Sequence, residues 1–63
     1  MSAWDGLVWL YWWHNGQLVS EQCRNVPAAK ESAAGLIESH SGYPDHIADG
    51  GGVITRYVCG RWV

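Results

Sequence analysis

The sequence predicts a small α+β domain, ββαβ in order, in which a three-stranded, mainly antiparallel sheet carries one helix packed on one face. Three observations predict it. The stretch Leu7 to Val19, LVWLYWWHNGQLV, sets an Asn-Gly pair between apolar runs, a hairpin signal because a two-residue turn needs positive φ at both central positions. Behind Pro27, apolar residues recur at spacings of three and four, the period of an amphipathic helix. The closing stretch, Val53 to Val63, is rich in the β-branched and aromatic residues that strands favour.

Taken in order, residues 1–6 are a lead-in whose one anchored residue is expected to be Trp4. With the turn at Asn15-Gly16, His14 faces Gln17, Trp13 faces Leu18, Trp12 faces Val19, Leu10 faces Glu21 and Val8 faces Cys23. Alternation then sorts the hairpin into two surfaces. Val8, Leu10, Trp12, Val19 and Cys23, interrupted by Glu21, form a mostly aliphatic surface that reads as core. Leu7, Trp9, Tyr11, Trp13 and Leu18, with Ser20, Gln22 and Arg24, form an aromatic stripe with a polar margin, the composition of a contact surface. Asn25-Val26-Pro27 stops the second strand, since proline cannot donate to a ladder and suits the first turn of a helix. The helix runs to about Ser39 and presents Val26, Ala29, Ala33, Leu36 and Ile37 inward. Gly35, unfavourable in a helix interior, predicts close packing there or a bend. His40 to Gly52, dense in turn formers, reads as a loop, with the triple glycine at 50–52 as slack in the connection. In the last strand Ile54, Val58 and Trp62 are the expected core set.

Sixty-three residues make a single domain, 1–63, and a chain this short buries only roughly 60% of the surface its unfolded form exposes. Such chains gain stability from disulfides, metals or partner subunits. Cys23 and Cys59 allow one bridge, but MSAWDG has no basic residue and does not read as a secretory signal, so a reduced, cytoplasmic chain is expected. The apolar run from Gly6 to Trp13 falls far short of the roughly 20 residues a spanning helix needs, and no membrane association is expected. Four Lys plus Arg against six Asp plus Glu, a net charge of −2, argue against nucleic acid as a partner, because that binding draws on clustered cations.

Abundant Gly, Ala, Val and Trp, no Phe and a single Lys are choices that favour GC-rich codons. In this composition, across its whole length and with no motif, the chain resembles the small orphan proteins of high-GC actinobacterial phages. The resemblance implies an accessory or host-directed role.

No constellation for catalysis stands out. His40, Asp45, His46 and Asp49 are metal-ligating types, but their spacing matches no metal motif and loop aspartates beside Gly and Pro ordinarily make turns. No cofactor or metal site is expected. Cys23, Cys59 and His14 offer thiol and imidazole without an orienting third group. The triple glycine lacks the helix and the lysine of a phosphate cradle. The stripe of Trp9, Tyr11 and Trp13 remains: one helix cannot cover both faces of the sheet, and large aromatics left bare call for a cover. The expected function is a non-enzymatic, inhibitor-like interaction protein, a homo-oligomer joined through Trp9, Tyr11, Trp13, Leu18 and Arg24, engaging a host or phage protein. The alternative is a single-stranded nucleic-acid binding module that stacks bases on the stripe, with Arg24, Arg56 and Arg61 at the phosphates.

Overall fold

The Asn15-Gly16 turn forms as the sequence requires, with φ of 51° at Asn15 and 80° at Gly16, the left-handed pair of a two-residue hairpin turn. The computed structural model describes residues 7–63, and the expectation for Trp4 lies outside them. Strands β1 (Val8–His14) and β2 (Gln17–Cys23) pair antiparallel, from His14 with Gln17 to Val8 with Cys23. That is the register expected from the turn.

Helix α1 (Val26–Glu38) follows. The Asn25 side-chain oxygen accepts the Ala28 N–H at 2.8 Å, satisfying one of the donors a helix start leaves open, and Pro27 lies in the first turn, where a missing N–H is harmless. At the other end the Ser41 N–H donates to the Leu36 carbonyl at 3.0 Å and the His40 N–H to the Ile37 carbonyl at 3.2 Å. With His40 at φ 58° this is a Schellman ending, a histidine standing where glycine is usual. Ala29 and Ala33 are buried, and Val26 and Leu36 pack against the core. Ile37, expected to face inward, is 36% exposed. Each four-residue step turns a side chain about 40° round the helix axis, and Ile37 falls past the Ala29–Ala33 line. Of the two expectations for Gly35, close packing does not hold: a methyl group added there meets nothing within 4 Å.

The larger departures follow the helix. Residues 43–49, expected in a loop, form strand β3 (Tyr43–Asp49), and the expected last strand is two, β4 (Gly52–Val58) and β5 (Arg61–Trp62). The sheet therefore has five strands rather than three, all antiparallel, in the order β2-β1-β3-β4-β5. Proline argues against an interior strand except at an irregularity, and β3 has one: the pairing with β1 jumps between Tyr11 with His46 and Trp12 with Pro44, so Asp45 is the extra residue. The triple glycine is not slack. Gly50 and Gly51 make a tight turn between β3 and β4, and Asp49 Oδ1 accepts the Gly51 N–H at 2.8 Å. A second left-handed pair, Cys59 at φ 51° and Gly60 at φ 84°, turns β4 into β5, although cysteine seldom takes that position.

Paired residues of an antiparallel ladder share a face, and this locates the core. Leu10 pairs with Ile47, and both are fully buried with Val8, Cys23, Ala29 and Ala33. Burial, then the Glu21 carboxylate, pushes the Cys23 thiol up, keeping it protonated. Thr55 pairs with Ile47, and Trp62 pairs with Tyr57 and packs against the core. Ile54 and Val58, the expected partners of Trp62, are instead exposed. The turn at Cys59-Gly60 reverses the alternation that a straight strand would have kept. The helix covers β3, β1 and part of β2, and leaves β4 and β5 bare.

Three substitutions test this packing by denaturant melts. Gly35→Ala should raise stability by roughly 1 kcal/mol, since helical backbone and open space both favour alanine. Gly42→Ala should lower it by roughly 1–3 kcal/mol, because the new Cβ would stand 2.5 Å from Trp12 Cε3 and 2.8 Å from the Trp13 carbonyl oxygen. Gly16→Val should destabilise far more than an exposed strand change does; an unaltered midpoint would contradict the turn.

Candidate functional site: the open face of the sheet

The face away from α1 carries the aromatic stripe, and the strand missed in the sequence borders it. Trp9, Tyr11 and Trp13 on β1 are paired on one side with Gln22, Ser20 and Leu18 of β2. On the other side they meet Ala48, His46 and Tyr43 of β3. The ladder continues to β4, where His46 pairs with Arg56 and Ala48 with Val53, and to Val63, whose N–H and carbonyl bond to Arg56. Val58 pairs with Arg61. One face thus holds Trp9, Tyr11, Trp13, Leu18, Val53, Ile54, Val58, Arg56 and Arg61. Of the residues expected at the contact surface, the fold brings together Trp9, Tyr11, Trp13 and Leu18. Arg24 is exposed immediately past the end of β2.

The stripe is tied down as well as displayed. The His46 ring stacks on Tyr11, centroids 4.4 Å apart and planes 14° from parallel. Its Nδ1 lies 2.6 Å from Asp45 Oδ2, while Asp45 Oδ1 accepts the Trp13 Nε1–H at 3.1 Å. Extra residue Asp45 therefore joins a β3 imidazole to a β1 indole. Those two hydrogen bonds, the imidazole's first and the indole's second, hold the Asp45 carboxyl below its usual range. Trp13 is nonetheless 43% exposed and Leu18 beside it 45%.

A second aromatic series escaped the sequence reading. Tyr57 meets both Tyr43, at 5.4 Å between centroids, and Trp62, at 4.9 Å, edge to face. It is half-buried, and its partner Trp62 packs against the core. Near the hairpin tip a shallow cleft of about 420 Å³ opens among Trp13, Ile37, His40 and Tyr43, and His14 Nδ1 lies 2.8 Å from the Ser41 carbonyl oxygen, tying that tip to the turn after α1.

The metal-ligating types scatter. His40 ends the helix, Asp49 serves a turn, and Asp45 and His46 serve the stripe; among the described residues no three such groups converge. Both cysteines are free, Cys23 buried and Cys59 exposed at its turn. No described helix is long and apolar enough to cross a membrane.

Asp45 yields a pH test with a definite sign. A carboxyl whose folded pKa is depressed stabilises the fold above its unfolded value and loses that contribution as pH falls through the folded one. Wild-type stability should therefore decline below about pH 4, with a change in Trp13 emission, and Asp45→Asn should flatten both. A variant that keeps the wild-type acid profile would show that the Trp13–Asp45–His46 linkage does not form. No family model, curated protein or solved structure matches the chain.

Proposed function

We propose that this chain is a small, non-enzymatic interaction protein that self-associates through the open face of its sheet. A cytoplasmic accessory or host-directed role, inhibitor-like in engaging a host or phage protein, accords with its composition. The observation that carries the reading is the face itself, over which no second layer lies among the described residues. Exposed Trp13 and Leu18 at one side and exposed Val53, Ile54 and Val58 at the other lie on a single sheet whose helix packs on the other face, over β3, β1 and part of β2. The Asp45–His46 pair supports the non-enzymatic part: both carboxylate oxygens and one face of the imidazole are engaged by neighbours on the sheet. Covering the face removes apolar area worth several kcal/mol at about 25 cal/mol per Å², a large gain for a chain of this size.

One observation favours the second reading, a single-stranded nucleic-acid binder. The net charge conceals a partial segregation: Arg56 and Arg61 share the aromatic face with one carboxylate, Asp45, whereas Glu31 and Glu38 lie on the helix and Glu21 pairs with buried Leu10 on the helix side. Stacking with cationic support is how such modules hold a strand. Two arginines release few counterions, however, and the affinity they support at physiological salt is low.

Sedimentation equilibrium decides between the readings. At concentrations on the order of tens of micromolar the chain should be a dimer, its melting temperature rising with concentration as mass action requires. Trp13→Ser should shift it toward monomer, while Lys30→Ala and Glu38→Ala, on the exposed helix surface, should not. A folded monomer at those concentrations that binds an oligothymidylate at physiological salt would replace the first reading with the second.

A further inference from the structure

The open face divides into two unlike halves about its middle strand, and this points to how two copies would meet. In the order β2-β1-β3-β4-β5 the central strand is β3. To one side lie Leu18, Trp9, Tyr11 and Trp13. To the other lie Val53, Ile54, Val58, Arg56 and Arg61. We propose that the chain forms an isologous dimer whose two-fold axis runs along β3 between the facing sheets, laying the aromatic half of each copy on the aliphatic and cationic half of the other. This rests on the self-association proposed above and specifies its geometry.

Sheets stacked face to face lie about 10 Å apart with strands within about 30° of one another. A two-fold axis relating them lies in the plane between them, and it keeps strands aligned in two settings. An axis across the strands sets β1 on the partner's β1 and β4 on the partner's β4. Arg56 is then confined with the partner's Arg56, the one carboxylate of the face, Asp45, being already bonded to Trp13 and His46, and like charges brought together in a drying interface oppose association. An axis along β3 exchanges the sides. Arg56, level with His46 and Tyr11 on the ladder, then stands opposite the partner's Tyr11, and Val58 opposite the partner's Trp13. Val53 and Ile54 meet the partner's Trp9, and Arg61 meets the partner's Leu18. Guanidinium against aromatic ring and branched aliphatic against indole are favourable contacts in a dry setting.

The area suits a second copy. Four seven-residue strands about 4.8 Å apart and some 20 Å long, with the two-residue β5 beside them, present on the order of 400 Å² in projection. Side-chain relief brings the accessible area toward the roughly 800 Å² per partner of a standard interface. The helix side, with Glu31 and Glu38 exposed, stays outside and keeps the assembly finite, because an isologous contact closes on itself.

Mixing two variants tests the exchange of halves. Leu18→Lys places a lysine opposite the partner's Arg61, and Arg61→Glu places a carboxylate opposite the partner's Leu18. Each variant alone should be a folded monomer by circular dichroism and sedimentation, since both positions are exposed. An equimolar mixture pairs the new lysine with the new glutamate and leaves the other contact native. It should dimerise with a Kd about tenfold or more below that of either variant alone. Ser20→Lys with Val63→Glu, one ladder step along, should repeat the result. If the wild-type chain dimerises while neither mixture associates better than its components, the exchanged-halves arrangement is wrong and self-association stands. If the wild-type chain never dimerises, both proposals fall.

Discussion

The pairing of β1 with β3, centred on Leu10 and Ile47, is the interaction on which the rest of the structure depends. Both side chains are fully shielded from water, and they meet across strands far apart in sequence. The helix covers them with Ala29 and Ala33, small enough to let its axis come close to the sheet. Once β1 is flanked by β2 and β3, its alternate residues Trp9, Tyr11 and Trp13 must point the other way. An interior strand that is apolar on both faces thus generates a buried core and a displayed stripe from one run of sequence.

The same constraint explains why the stripe is ordered. Exposed aromatics on a two-stranded ribbon would have free rotamers, whereas here the β3 irregularity swings Asp45 onto the stripe's side of the sheet. Its carboxylate then joins the Trp13 indole to His46, which stacks on Tyr11. Rings held in place lose less freedom when a partner covers them, and preorganisation of this kind is what turns apolar area into affinity.

The hairpin, its register, the division of its faces and the helix were legible because each is written in local chemistry: positive φ at Asn15-Gly16, the strand stop and helix start at Pro27, the three-and-four spacing after it. Strand β3 was not. Pro44 and the glycines around it are turn formers by every local measure, and only the irregularity at Asp45 lets a proline sit within an interior strand. Cys59 hid the second turn because its φ is unusual for its residue type, and the unbroken alternation then placed Ile54 and Val58 inside. The aromatic half of the candidate face was therefore readable, while its cationic half depended on tertiary pairing that brings Arg56 and Arg61 to the same side. Counting charge along the chain gave no hint that these two arginines share the aromatic face.

Solvent paramagnetic relaxation at the indole N–H protons of the tryptophans addresses the central claim most directly, because it reports whether the open face is wet. With a soluble gadolinium probe, relaxation at Trp13 should fall as protein concentration rises through the dimer transition, while that at the exposed residues Lys30 and Glu31 of the helix stays constant. An indole at Trp13 that remains equally accessible at every concentration, in a chain that stays folded, would contradict the account.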